Sequence, residues 1–406
     1  MKKILVSTLA IILIVPLLGL MGFKALENLK GSHFKNYLQK HMETFELQQA
    51  YDFNILRRDI EKNSLILVGE IHGFHEPIQF DVKFLEYLYD EHGVRDYFVE
   101  MDYSQAYFLN KFNRTGNLDL LDSILNNWVV VAGRKNEDYR NKWIAMKDLF
   151  QEGKEFKFHG NNNLMDVNLL NRHLHELDSS WNLTLNANSS DSLQLIRIIS
   201  ELENHTRVDE FDFQHLLANA NYRLEGKYRE EILTQNFLEL YDENCLKESK
   251  VYGYYGLGHT LQAPLKDGYK AMALRLKEND SWFKDKVLSI NFVLQESNMV
   301  VKSETLPGFM QDEGPYTRLN VEYDDILTSY LFGVNDLIEL TSPESKSIVR
   351  LDGYRTPYNE STRLSNMTKI LPIGAALKAE EGYSTTDYYQ YLIFVRNSDW
   401  AKPIIE

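Results

Sequence analysis

The ten residues SLILVGEIHG, Ser64 to Gly73, decide the fold. They begin with a continuous apolar run, which is typical of a β-strand buried on both faces. Polar side chains follow at once, because Glu70 and His72 stand where this strand ends. Ile78–His92 then has the apolar spacing of an amphipathic helix, and Gly93 is a residue type that commonly ends one. A buried strand followed by such a helix indicates the repeating unit of a parallel sheet.

The same pattern recurs further along the chain. Three more short apolar segments end in polar residues, at Asp96–Val99, Phe156–Phe158 and Val251–Tyr255. After the first of them, Ser104 is the predicted N-cap of a helix that runs through Phe112. Strands that alternate with helices predict an α/β fold, with a mainly parallel sheet flanked by helices. Between the third and fourth strands, the helical pattern of about residues 165–243 predicts a helical cap inserted over one end of the sheet. Val287–Leu294 and Gln390–Val395 indicate strands that complete the sheet.

The N-terminus has the pattern of an export signal. Two lysines precede the apolar run Ile4–Phe23, and about 20 apolar residues are enough to span a bilayer. We therefore interpret residues 1–24 as a transmembrane signal-anchor or a cleaved signal peptide. Either one predicts that the rest of the protein lies outside the cytoplasm, where it is membrane-anchored or exported. Residues 25–63 follow as an N-terminal helical segment, with a helix-like pattern over 25–47, and residues 64–406 form the predicted α/β domain.

Charge and cysteine content limit the partners of the chain. Its 406 residues include 59 acidic and 44 basic side chains, a formal net charge of −15. A surface this acidic repels phosphate backbones, so we expect no nucleic-acid partner. Cys245 is the single cysteine, which excludes an internal disulfide and a cysteine-rich zinc site. We expect no cofactor. Because acidic side chains attract cations, a bound divalent metal is kept as an alternative.

Polar residues stand at the carboxyl ends of four predicted strands. In chain order they are Glu70 with His72, Glu100 with Asp102, His159 with the asparagine run that includes Asn162, and His259. Ligands of open parallel sheets bind at this edge, where loops and helix N-termini converge. Carboxylates and imidazoles suit proton transfer or metal ligation. Each residue alone is explained as well by a polar loop, a helix cap or a packed histidine, so the predicted site depends on their convergence.

Two further residues extend the candidate set. His75 follows His72 closely and also belongs either to the site or to the first turn of the next helix. Arg229 lies in YREEILTQNF, Tyr228 to Phe237, a predicted helix that leads into the strand before His259. Arg229 forms either a surface charge pair or a clamp that reaches the strand ends and holds a carboxylate or an oxyanion.

In this order, the segments resemble the erythromycin esterase-like family, within the wider haem-uptake and Tiki-like superfamily. The matching stretches are LILVGEIHG, YFVEMDYSQAYFLNKF, YREEILTQNF and VYGYYGLGHT. The resemblance implies an α/β fold of the esterase type. The site residues that it implies are Glu70, His72, Glu100, Arg229, Asn236 and His259. A single residue, Ile71, separates the first glutamate from the first histidine, a spacing nearer to the haem-uptake and Tiki-like members.

The leading hypothesis is a hydrolase in which water attacks an ester or related acyl bond of a small-molecule or peptide substrate. His72 is the predicted general base, oriented by Glu70 or Glu100. His259 and Arg229 are predicted to stabilise the oxyanion. The predicted substrate-binding residues are His75, Asn162 and Asn236.

Two other interpretations are kept open. One is a metal-dependent hydrolase or peptidase of the Tiki-like type. Its metal ligands would be Glu70, His72, Glu100 and His259. The other is a non-catalytic surface protein that binds haem or a similar ligand. Its candidate axial ligands are His72, His75, Tyr254 and Tyr255.

Overall fold

The computed structural model describes residues 31–47, 51–127, 135–149, 156–186, 188–371 and 377–404. The predicted signal-anchor or signal peptide, residues 1–24, lies outside these ranges. Within the part of the chain that is described, no helix is both long enough and apolar enough to cross a membrane.

The described residues contain thirteen strands. They are β1 (Met42–Phe45), β2 (Leu65–Glu70), β3 (Asp96–Val99), β4 (Lys157–Gly160), β5 (Val251–Gly256), β6 (Val287–Gln295), β7 (Ser297–Lys302), β8 (Tyr316–Val321), β9 (Asp324–Asp325), β10 (Ser329–Leu331), β11 (Lys346–Arg350), β12 (Met367–Thr368) and β13 (Tyr391–Arg396). Eight of them form one large sheet in the order β1-β11-β13-β6-β2-β5-β3-β4. The six strands from β13 to β4 run parallel to one another, while β11 is antiparallel to both of its neighbours, β1 and β13.

Helices connect and cover these strands. They are α1 (31–38), α2 (Asn54–Lys62), α3 (His75–His92), α4 (Tyr103–Thr115), α5 (Leu118–Asn127), α6 (Glu137–Leu149), α7 (Val167–Leu177), α8 (Asp191–Glu203), α9 (Phe211–Glu225), α10 (Arg229–Glu243), α11 (Met272–Asn279), α12 (Val334–Leu340) and α13 (Thr385–Tyr388). The architecture is therefore mixed α/β, with a large, mostly parallel sheet flanked by helices, as the sequence predicts.

The central strands are where the sequence predicts them because they are buried on both faces. Every residue of β2, β5 and β6 is buried. Such strands require continuous apolar runs, and these are the runs that the sequence displays. The strand β2 continues to Glu70, so this carboxylate belongs to the last residue of the strand itself. The edge of the sheet at the carboxyl ends is thus formed by the predicted polar residues.

Helices α7 to α10 occupy the stretch predicted as a helical cap. The described residues between α7 and α8, 178–186 and 188–190, are without helix, in keeping with their polar composition. Leu170, Leu174, Ile198 and Phe213 pack into a separate apolar cluster. Helix α10 begins at Arg229, and this end of the helix reaches the carboxyl edge of the sheet, as described below.

Two local expectations are wrong. The helix-like pattern over residues 25–47 ends in a strand, because β1 pairs antiparallel with β11 at the edge of the large sheet. The segment 25–63 is therefore only partly helical. In addition, Asp102 and not Ser104 is the N-cap of α4, where its carboxylate accepts from the backbone N–H of Gln105. Ser104 lies inside the helix and its hydroxyl contacts His173.

The C-terminal third contributes more than the two predicted strands. β7 and β8 form an antiparallel pair, and β9, β10 and β12 form a small three-stranded sheet. An apolar cluster, which includes Tyr323, Leu331 and Tyr389, joins this region to the large sheet. These strands are short, and most positions of β7 and β8 are partly or fully exposed, so they lack the continuous apolar runs of β2 or β6.

Candidate active site

The first half of the candidate site is the pair formed by Glu70 and His72. The Nδ1 atom of His72 lies 2.8 Å from Oε1 of Glu70. The hydroxyl of Tyr139 also donates to Oε1 of Glu70, and that of Tyr254 donates to Oε2 at 3.0 Å. Glu70 is buried, with 2% of its surface exposed. A buried carboxylate that accepts this many hydrogen bonds is fixed in position, and it fixes the ring of His72 in turn.

A buried polar network supports the two tyrosines from below. Lys142 forms an ion pair with Asp81, and both side chains are almost fully buried. Asp81 also accepts from Tyr97 at 2.5 Å and from Tyr252 at 2.6 Å. Burial raises the pKa of Asp81 even though Lys142 opposes that shift. The ammonium group of Lys142 lies 4.3 Å from the ring centre of Tyr254, so the network touches a direct partner of Glu70.

Glu100 organises the second half of the site. One carboxylate oxygen, Oε1, accepts from the guanidinium of Arg229 at 2.6 Å, and Oε2 accepts from the backbone N–H of Gly256 at 2.6 Å. The Nε atom of Arg229 donates to the side chain of Asn162 at 3.0 Å. The start of α10 is therefore joined to the ends of β3 and β5, and Arg229 is a clamp on a carboxylate, not a surface charge pair.

His259 lies between two carboxylates, on a short 3₁₀ turn that follows β5. Its Nε2 atom is 3.5 Å from Oε1 of Glu100, and its Nδ1 atom is 2.7 Å from Oε1 of Glu230. Burial lowers the pKa of His259, but Glu100 and Glu230 outweigh that effect and raise the pKa from 6.5 to about 9. His259 is therefore an imidazolium at neutral pH.

Gly256 brings the two halves together. A Cβ atom at this position would lie 2.9 Å from Nε2 of His72 and 3.4 Å from Oε2 of Glu100. A side chain of any size would meet both groups, so the imidazole edge and the carboxylate approach each other over a bare stretch of backbone. The structure thus brings Glu70, His72, Glu100, Arg229 and His259 to one edge of the sheet.

The residues predicted to bind substrate lie around this edge in different ways. Asn162 contacts Arg229 and donates to the backbone carbonyl of Glu100 at 3.3 Å. Asn236 is buried and donates to the backbone of Asn161 and Asn162, so it holds the loop after β4. His75 is the first residue of α3, where its Nδ1 atom is 3.1 Å from Asp138. Substrate contacts of these residues remain predictions.

The ligands proposed for a metal or haem have other partners. In the described ranges, no group of three or more His, Cys, Asp or Glu side chains is arranged to hold a metal ion. Tyr254 and Tyr255 are buried, and the hydroxyl of Tyr255 donates to Asn161 at 2.8 Å. His259 lies between the carboxylates of Glu100 and Glu230. Hydrogen bonds and ion pairs therefore join the predicted ligands to one another and to nearby side chains.

Three contributions to the site were not assigned from the sequence, and a fourth, Tyr254, was assigned only as a candidate haem ligand. Tyr139 comes from α6, a helix in a stretch without a clear predicted element. Tyr254 is spaced to face the same side of the sheet as Tyr252, but an alternating pattern alone does not reveal a carboxylate partner. Glu230 directly follows Arg229, and that adjacency was the available signal. The backbone N–H of Gly256 leaves no signal in a sequence beyond glycine itself.

Comparisons with known proteins relate the fold to solved structures. No protein-family model and no curated protein matches the chain. A structure from Bacillus cereus is 13% identical, with 92% of this chain and 99% of that one covered and a TM-score of 0.61. A succinoglycan biosynthesis protein has 13% identity, coverages of 92% and 98%, and a TM-score of 0.61. A mutant of the erythromycin esterase EreC in its open conformation has 12% identity, coverages of 90% and 99%, and a TM-score of 0.58. At such identities the likeness concerns the fold, which this chain shares with an erythromycin esterase.

Proposed function

We propose that the protein is a hydrolase that directs water at an ester or related acyl bond of a small-molecule or peptide substrate. The observation that carries the proposal is the position of His72. Glu70 binds its Nδ1 atom, and its Nε2 atom lies over Gly256 beside Glu100, the carboxylate that pairs with Arg229 and His259. The fold shared with the esterase EreC is in keeping with it.

In this proposal His72 is the general base. The carboxylate of Glu70 at Nδ1 stabilises the tautomer that carries its proton there, so Nε2 has the lone pair. Nε2 takes a proton from water as the water oxygen bonds to the acyl carbon. The same proton is then given to the leaving oxygen when the tetrahedral intermediate breaks down. General-base catalysis of this kind contributes about 10²- to 10⁴-fold.

Arg229 and His259 supply positive charge for the oxyanion. Both are cations at neutral pH and both are oriented by Glu100, so neither has to rearrange as negative charge develops. Donors fixed in this way contribute about 10²- to 10³-fold each in enzymes that stabilise an oxyanion. Glu100 is in this account a positioning residue, because its carboxylate contacts Arg229, His259 and the backbone of Gly256.

Direct attack by water is favoured over a covalent intermediate. The sequence has no G-x-S-x-G motif, the turn that presents a nucleophilic serine in α/β-hydrolases. The site residues brought together at the sheet edge are acids, bases and a guanidinium, which activate water and stabilise charge. We therefore expect no burst of released alcohol before steady state.

Hydrolysis of a panel of esters, lactones and amides tests the proposal. We expect turnover of at least one ester class, unchanged by a chelator such as EDTA. Loss of turnover with EDTA and its return with a divalent metal would replace this proposal with the metal-dependent one. Absence of turnover together with a Soret band on haem titration would instead favour the haem-binding protein.

The location of the protein is a separate proposal. The basic and apolar N-terminal pattern predicts export or membrane anchoring. Fractionation of cells that express the full chain tests it. Recovery in the cytoplasmic fraction would contradict it.

A further inference from the structure

An apolar cavity of about 230 Å³ adjoins the candidate site. Ile71 and Leu257 form one part of its wall, and Phe292 of β6 lies beside them. The C-terminal third closes the cavity with Leu331 of β10 and Met367 of β12. Carbon atoms thus dominate the lining, in contrast to the charged edge of the sheet next to it.

Two wall residues connect this cavity to the reacting groups. Ile71 stands between Glu70 and His72 in the chain, so its neighbours are the general base and the carboxylate that orients it. Leu257 directly follows Gly256, whose backbone N–H is bound by Glu100, and it belongs to the same short turn as His259. The wall of the cavity therefore includes the residue that follows Glu70 and the residue that follows Gly256.

The cavity has room for a sizeable apolar group. A cavity of about 150 Å³ with an aliphatic and aromatic lining takes up benzene, and this one is larger. Water gains little from such a lining because a buried water needs two to four polar partners. An alkyl or aryl chain, in contrast, is stabilised by each methylene that it removes from water.

We infer that this cavity binds the acyl group of the substrate, and that the substrates are esters of medium-length or aromatic apolar acids. The inference rests on the proposed hydrolysis and adds the chemical class of the substrate. It also gives the C-terminal third a role, because Leu331 and Met367 then select the acyl group. The ester carbonyl lies at the charged edge, near Arg229 and His259, and the apolar tail lies among the aliphatic side chains.

Acyl-chain selectivity tests this inference. A series of 4-nitrophenyl esters from acetate to decanoate keeps the leaving group constant while the acyl chain grows. For the wild type we expect kcat/KM to rise about fourfold per methylene until the cavity is full, and then to level off or fall. A flat dependence on chain length, with esters hydrolysed, overturns the inference and leaves the proposed hydrolysis intact.

Variants at Met367, a partly buried wall residue, should shift the preferred chain length in a direction that depends on the size of the new side chain. Met367→Trp fills the cavity and is expected to move the optimum to shorter chains by at least two carbons. Met367→Ala enlarges the cavity and is expected to move the optimum to longer chains. Ile370→Trp adds the same bulk at a side chain that is 63% exposed, and it should leave the optimum unchanged. Equal optima in all four proteins contradict the inference.

Binding of free carboxylates separates this inference from the proposed hydrolysis. Calorimetric titration with acetate, butyrate, hexanoate and octanoate requires no turnover. We expect affinity to rise about fourfold per methylene and the rise to be lost in Met367→Trp but kept in Ile370→Trp. If this result is obtained and no ester is hydrolysed, it would support the binding of apolar acyl groups in the cavity and contradict the proposed hydrolysis. Affinity that is independent of chain length rejects the cavity, whether or not esters are hydrolysed.

Discussion

His72 Nδ1 lies 2.8 Å from Glu70 Oε1, at the carboxyl end of a fully buried strand. Glu70 is the last residue of the strand, so the paired backbone fixes the position of its carboxylate. The turn that follows places the imidazole of His72 next to that carboxylate. Tyr139 and Tyr254 add donors from two other elements. Fixing a base through its second nitrogen is a common way to set the tautomer and direction of an imidazole.

The charge of Glu70 should be necessary for catalysis. Glu70→Gln keeps the size of the side chain but removes the negative charge that favours the proton on Nδ1 of His72. We expect kcat to fall by at least about a hundredfold with a much smaller change in KM. Glu91→Gln, at an exposed acid near the far end of α3, is the matched control. Equal rates in the two variants would remove Glu70 from the mechanism.

Activity should decline at alkaline pH as His259 loses its proton. The carboxylates of Glu100 and Glu230 raise its pKa to about 9, so its positive charge is present at neutral pH and is lost above that value. The profile of kcat/KM against pH, which reports groups of the free enzyme, should therefore have an alkaline limb near pH 9 that belongs to this group. His259→Gln should have low activity and lack the limb. A limb that persists in His259→Gln must belong to another residue.

The same histidine should make stability depend on pH. Its pKa is higher in the folded protein than the value of 6.5 expected in the unfolded chain. The stabilisation is therefore fully present below pH 6.5 and is lost as pH rises through about 9. A pKa shift of this size corresponds to a contribution on the order of 3 kcal/mol to the free energy of unfolding. We expect the difference in free energy of unfolding between the wild type and His259→Gln, measured with urea, to shrink and to become smallest above pH 9. A difference that stays constant from pH 6 to 10 would contradict this assignment.

Gly256 should tolerate no Cβ atom without loss of activity. The added atom in Gly256→Ala would lie 2.9 Å from Nε2 of His72, so the imidazole has to move away from its position over the strand end. We expect kcat to fall by about tenfold or more, because small misplacements of reacting groups reduce rates steeply.

Gly258→Ala is the matched control two residues away. A Cβ atom there would meet only the hydroxyl of Tyr269, at an ordinary contact distance of 3.5 Å. Its kcat should stay within about threefold of the wild type. Similar losses in the two variants would mean that the turn as a whole, and not the approach of His72 to Gly256, limits activity.

The buried pair of Lys142 and Asp81 should contribute strongly to stability. Lys142→Met leaves Asp81 without its cation in a fully buried position. Removal of one partner of such a pair typically costs about 3–5 kcal/mol of the free energy of unfolding. The double variant Lys142→Met, Asp81→Asn should recover part of this loss, because the amide carries no buried charge and its oxygen still accepts from one of the two tyrosines that donate to Asp81. Equal stabilities of the single and double variants would argue against an uncompensated charge as the cause.

The sequence predicts the central fold because burial on both faces leaves a direct pattern. β2, β3 and β5 are continuous apolar runs, and their predicted bounds differ from the structure by no more than two residues at either end. β1 and the short strands of the C-terminal third are less regular. Their place depends on pairing partners far away in the chain, such as β11 for β1, and local patterns carry no information about those partners.

The candidate site was predictable where a chemical group stands at a strand end. Glu70, Glu100 and His259 meet this condition. Arg229 was uncertain because a helix start gives the same pattern for a surface charge and for a clamp, and its pairing with Glu100 resolves that ambiguity. Tyr139 could not be found, because its approach to Glu70 depends on the packing of α6 against the sheet.

The measurement that most directly tests the central claim is kcat for His72→Gln on the best ester of the panel. The matched control is His92→Gln, since His92 is the last residue of α3 and contacts Tyr87. We predict a loss of at least about a hundredfold for His72→Gln, with an unfolding midpoint close to that of the wild type, and an unchanged rate for His92→Gln. A folded His72→Gln protein with the wild-type rate would contradict general-base catalysis by His72.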